Sequence, residues 1–144
     1  MNPYLAQALA AIVPMIVGFL WYNPKTFENA WMDTIGMTRE KMESGNMAIT
    51  MGVSLIMAFI LTLHLSYFVN HPSSFGGPPS SDTFGHGAFH GAFTALLIAL
   101  PIIGTKAIFE QRGFKYVLIN LGYWIVTLAL MGGVLDYFLP TVGS

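Results

Sequence analysis

Residues 82–110 read D-T-F-G-H-G-A-F-H-G-A-F-T-A-L-L-I-A-L-P-I-I-G-T-K-A-I-F-E. The interior of this stretch is apolar for long enough to cross a bilayer, since about 20 apolar residues span roughly 30 Å of hydrocarbon. It nevertheless carries two histidines near one end and a lysine and a glutamate at the other. Ionisable groups in a membrane span are costly, so each marks a place to look for function. His86 and His90 are four residues apart and share one face of a helix. Gly87, Gly91 and Ala95 repeat that spacing on the neighbouring face. Such a ridge of small residues lets another helix approach closely.

Working outward, three further apolar segments of spanning length lie at about 3–22, 48–69 and 115–139, with the first quoted span at about 83–109. Pro14 and Pro101 interrupt two of them and predict kinks, because proline removes a helical hydrogen bond and crowds the preceding turn. The first segment has no basic residue before Lys25 and so lacks the positive start of a signal peptide; a retained span is expected. Residues 23–46 read as a loop holding a short amphipathic helix. Asn23 before Pro24 predicts its start, Phe27, Trp31 and Ile35 its apolar face, and Gly36 its end. Thr38 then caps one more turn through Glu43. Residues 70–81 are rich in proline, glycine and serine and form the second long connection, expected on the extracytoplasmic side. The expected fold is therefore all-α: an integral membrane bundle of four transmembrane helices in two hairpins, plus a short cytoplasmic interfacial helix. It forms one domain over residues 1–144.

Composition agrees. The 144 residues are 54% hydrophobic and only 9% charged, against about 25% charged in a soluble domain, and the mean hydropathy is +0.60. Trp21, Trp31 and Trp124 fall close to span ends, as an interfacial aromatic belt requires. A net charge of -1 argues against a nucleic-acid partner. With no cysteine, thiolate chemistry, disulfides and iron–sulfur clusters are excluded. The lipid bilayer is the expected partner, together with a second copy of the chain or another subunit of a membrane complex, because the glycine ridges suit helix–helix contact.

Charge also orients the chain. Lys25, Arg39 and Lys41 lie between the first two spans, and Lys106, Arg112 and Lys115 flank the turn between the last two. These are all six basic residues. The positive-inside rule puts both connections in the cytoplasm and both termini outside.

Two polar layers follow from the helical rise. On the outer side Gln7, His64, His90 and Asp136 fall at similar heights, with His86 one turn further out. Three readings of that layer stay open. The groups can hydrogen-bond one another and fix the packing; they can bind haem or a divalent metal, since imidazole and carboxylate are ligands for both; or they can handle protons or a solute. No resident cofactor is otherwise expected. On the inner side Lys106 and Glu110 are spaced for an ion pair, and Asn120 and Tyr123 lie nearby on the last span. Ordinary interfacial anchoring accounts for this cluster, with a gate or partner contact as the sharper alternative. The nine methionines are scattered and read as core filling. No nucleophile elbow, phosphate loop or paired catalytic carboxylates are present, so no catalytic residues are assigned.

Two segments carry a family resemblance. W-Y-N-P-K-T-F-E-N-A-W-M at 21–32, followed by G-M-T-R-E-K-M-E-S-G-N, resembles the opening signature of a bacterial membrane family catalogued as domain of unknown function seventeen sixty-one. The run from Ile108 to Leu135 is similar to its closing signature. The signature positions here are Trp21, Tyr22, Pro24, Trp31, Asn120, Gly122 and Tyr123, with Asn23 where serine is the commoner residue. The resemblance implies a four-span inner-membrane protein of bacteria and no particular activity. The function expected is a non-enzymatic small transporter or channel subunit, or an accessory subunit of a membrane assembly. The alternative is a metal- or haem-binding membrane protein.

Overall fold

A computed structural model describes residues 2–69 and 83–139 of the chain. The connection at 70–81 lies outside the described residues. The protein is all-α, with four long apolar helices that are candidate membrane spans and short helices between the first two. The spans are α1 (Pro3–Trp21), α4 (Met47–Val69), a third made of α5 (Phe84–Thr94), a π-helical stretch (Ala95–Ala99) and α6 (Leu100–Phe109), and α7 (Phe114–Phe138). The short helices are α2 (Glu28–Ile35) and α3 (Arg39–Glu43).

Local chemistry sets the ends. Asn2 caps α1 by accepting from the Tyr4 amide at 2.9 Å, with Pro3 in the first turn. Gly36 ends α2 at φ 66°, a left-handed conformation that glycine adopts without steric cost. Thr38 caps α3 through the Lys41 amide. The start of α2 differs from expectation: the helix begins at Glu28, not at Pro24. Asn23 instead accepts from the Lys25 amide in a tight turn. The Thr26 hydroxyl, within 2.7 Å of the Leu20 carbonyl and 2.6 Å of that of Trp21, turns back onto the end of α1. Carbonyls at a helix end lack amide donors further along the helix, so a hydroxyl that donates to them outcompetes an early helical turn. The buried face of α2 is Glu28 and Met32, and Glu28 pairs with Arg39 at 2.8 Å.

The interruption at Pro101 is absorbed one turn earlier. Proline has no N–H and its ring crowds the carbonyl four residues back, so the chain widens into the π stretch, where the Leu100 amide reaches the Ala95 carbonyl.

The centre of the bundle is α7, which packs against α1, α4, α5 and α6 and touches α2. Its inward residues Leu128, Met131 and Leu135 meet Ala6 and Ala10 of α1, Leu65 of α4 and Ala95 of the third span. The tightest contact is with α5. A methyl group placed on Gly87 would run into the Gly132 carbonyl and Asp136 Cβ, and one on Gly91 into the Leu128 carbonyl. Gly132 meets the Gly87 carbonyl in return. Backbone therefore lies on backbone along this seam. At the other end the indole ring of Trp21 lies on Gly122 and donates its N–H to the Ile119 carbonyl at 3.1 Å.

Gly91→Ala should force α5 and α7 apart and destabilise the bundle by about 1–3 kcal/mol, the usual cost of overpacking. Gly104→Ala is the control, since nothing lies within 4 Å of a side chain added there. Thermal unfolding in detergent compares the two, and equal melting temperatures would show that the seam tolerates a methyl group.

Candidate functional site

Three ionisable side chains meet where α5 and α7 are closest. Asp136, 1% exposed, accepts at Oδ2 from His86 Nδ1 at 2.9 Å. The other nitrogen of His86, Nε2, lies 3.0 Å from His90 Nε2. One turn on, the Thr94 hydroxyl donates to the backbone carbonyl of His90 at 2.8 Å. The backbone explains the arrangement. The glycine ridge brings α5 onto α7, and His86, His90 and Thr94 lie one position before Gly87, Gly91 and Ala95, so they flank the seam. Gly87 itself abuts Asp136 Cβ, which puts the carboxylate beside the neighbouring imidazole.

Proton positions follow from the partners. With Asp136 ionised, and so an acceptor only, His86 would carry its proton on Nδ1 and offer a lone pair at Nε2 to an N–H of His90. One proton added at the far nitrogen of His90 can then shift through both imidazoles towards Asp136. The three groups stand in series. Among the described residues no three of His, Asp and Glu converge as metal ligands.

The rest of the expected outer layer is placed differently. His64 is exposed on α4, its ring 4.9 Å from that of Phe68, and it does not join the chain. Gln7 is half-buried on α1 and is not hydrogen-bonded to the described members of the layer. Helical rise sets height along a span but not rotation about its axis, and rotation keeps these two out of the Asp136–His86–His90 hydrogen-bond chain. Thr94 was not foreseen. Its signal was the four-residue period running on from His86 and His90.

At the opposite end, the expected cluster of Lys106, Glu110, Asn120 and Tyr123 falls into two sets. Glu110 lies 3.7 Å from Lys106 and 3.3 Å from Arg112. Arg112 also donates to the Thr34 carbonyl at 3.1 Å, which fastens the turn between α6 and α7 to α2. The other set ties α1 to α7. Tyr22 donates to Asn120 at 3.2 Å, and Tyr123 donates to the Pro14 carbonyl at 3.1 Å. The Tyr22 and Tyr123 rings sit 5.3 Å apart, and Trp31 meets Tyr22 edge-on. Burial, reinforced by the Tyr123 and Tyr116 phenols, pushes the Tyr22 hydroxyl well above its ordinary ionisation range, so it remains a donor. These contacts join α1 to α7 and the α6–α7 turn to α2.

Comparison with known proteins then places the chain. The family described as Protein of unknown function (DUF1761) matches residues 5–136, and the protein belongs to that family. No curated protein and no solved structure matches the chain.

His86→Ala removes the Oδ2 partner of a buried carboxylate and should destabilise the protein by about 1.5–3 kcal/mol, the scale of a hydrogen bond to a charged group. His64→Ala loses only a ring contact and should stay within about 0.5 kcal/mol. Unfolding in mixed micelles measures both, and equal effects would put the two histidines on the same footing.

Proposed function

We propose that this member of the DUF1761 family is a small, non-enzymatic transport-type subunit whose working centre is the Asp136–His86–His90 chain, and that this centre handles protons. The observation that carries the reading is the series of two hydrogen bonds, 2.9 and 3.0 Å, leading from a buried carboxylate through two imidazoles inside a candidate span. Carboxylate and histidine chains in membrane spans are a recurrent form of proton relay. A purely structural bond needs one imidazole; a second imidazole in line extends the path by which a proton can enter. The serial geometry favours this over the haem or metal alternative, which calls for ligands converging on one point.

The same reading orients the protein with the relay in the outer leaflet of a bacterial inner membrane and both termini outside. Its support is the gathering of the basic residues at the other end, where Arg112 joins the α6–α7 turn to α2. A second copy or a larger membrane assembly fits the modest internal burial, at most 33% of the residues in the most apolar window of any span.

Two measurements test the proposal. In vesicles loaded with a pH-sensitive dye and given a potassium diffusion potential, the reconstituted protein should admit protons, and His86→Asn and Asp136→Asn should each slow entry at least about tenfold, the effect of about 1.4 kcal/mol on a barrier. Flux indifferent to both substitutions would reduce the chain to a packing element. Reporter fusions should read cytoplasmic at Gly36 and extracytoplasmic at Ser144; the reverse would overturn the orientation.

A further inference from the structure

Where α7 meets α5 closely, α4 stands off from the lower part of the third span, and a crevice opens between them. Its larger part, 280 Å³, is walled by Leu61 and His64 of α4, Ile98, Ala99 and Ile102 of the third span, and Trp124 of α7. A smaller part of 80 Å³ reaches His90 and Phe93, and the two share Thr94 and Ile98. From Thr94 to Ile103 the crevice runs roughly 13 Å along the helix axis at the helical rise. Its lining is apolar apart from His64 and Thr94 in the larger part and His90 and Thr94 in the smaller. The π stretch supplies its middle wall, and such stretches recur at functional sites.

This shape carries the orientation of a lipid tail, with the head at the histidine end and the chain pointing towards the middle of the bilayer. The histidine end also selects the head. His90 lies six residues into the span, about 9 Å from its start. A phosphodiester is permanently charged and would be costly at that depth. A carboxyl group can enter because it can take up a proton and become neutral. The exposed imidazole of His64 has no hydrogen-bond partner among the described residues and can donate to it. His90 belongs both to this rim and to the relay.

We propose that the crevice between α4 and the third span binds a long-chain fatty acid, with its tail along Ile98, Ala99 and Ile102 and its carboxyl group between His64 and His90. The proposal deepens the proton-handling reading. A proton passed from an imidazolium N–H at His90 to the carboxylate oxygen leaves neutral imidazole and neutral acid, and the reverse transfer restores both charges. Binding itself needs only the crevice and its rim.

The test is photolabelling of the purified protein in nanodiscs with a fatty acid that carries a diazirine in its tail. Labels should fall on the Ile98–Ile102 wall and be competed by the free acid, with its methyl ester or a diacyl phospholipid at least about tenfold weaker, a difference of about 1.4 kcal/mol. Ala99→Phe and Ile102→Trp fill the slot from two positions, and each should abolish wall labelling; the second acts at an exposed site and guards against misfolding in the first. His64→Ala should weaken competition by the free acid up to about tenfold, the worth of one hydrogen bond. Wall labelling that survives both filling substitutions, or ester or phospholipid competing as well as acid, would overturn the proposal. His86→Asn separates the two readings, since it should slow proton entry and leave labelling intact. Flux that ignores His86 with labelling retained sinks the relay and leaves the fatty-acid site standing.

Discussion

The contact between the backbones of α5 and α7 is the constraint on which the rest of the site depends. In lipid the tails are as apolar as any side chain, so helices associate through close packing and hydrogen bonds and not through exclusion of water. Glycine at 87, 91 and 132 lets the two helices approach until carbonyl meets Cα. A methyl group at any of these positions would open the seam, and the carboxylate of Asp136 would recede from His86. The hydrogen bond between His86 and Asp136 is in this sense made by residues that have no side chain.

The same helix serves the other end of the bundle with different chemistry. There α7 offers Gly122 to Trp21, Asn120 to Tyr22 and Tyr123 to the Pro14 carbonyl. Phenol and indole groups suit that position because each has a large apolar body and one polar tip. Arg112 and the Glu28–Arg39 pair then hold the short helices against the bundle. One end is thus fastened by aromatic residues and cations. The other carries a carboxylate and imidazoles, with no lysine or arginine among its described residues.

Asymmetry of packing produces the crevice. The third span is committed to α7 through α5, and its path changes at the π stretch that accommodates Pro101. The other long helix beside it, α4, packs chiefly on α1 and more lightly on α7 and α5. Space left between α4 and the third span is therefore a consequence of the glycine seam on one side and the proline-driven widening on the other. His64 of α4 lines the larger part of this space and His90 of α5 the smaller, and the two parts share Thr94 and Ile98.

Length and apolarity alone pick out the four candidate spans, because a helix must run about 20 apolar residues to cross the hydrocarbon. Local chemistry was equally legible at Gly36 and Thr38, where the cap is decided by the residue and its immediate neighbours. It misled at Asn23–Pro24, because the Thr26 hydroxyl found acceptors at the end of α1, in the preceding element and not in the next turn. Periodicity placed His86 and His90 on one face and the glycines on the next, and height placed His64, Gln7 and Asp136 near them. Only the tertiary structure decided that Asp136 meets His86 while His64 faces the crevice and Gln7 stays outside the chain. Sequence spacing specifies how far along a helix a residue lies and its angle relative to others on that helix. The rotation of one helix against another is set by which surfaces can approach most closely, and here that was the surface without side chains.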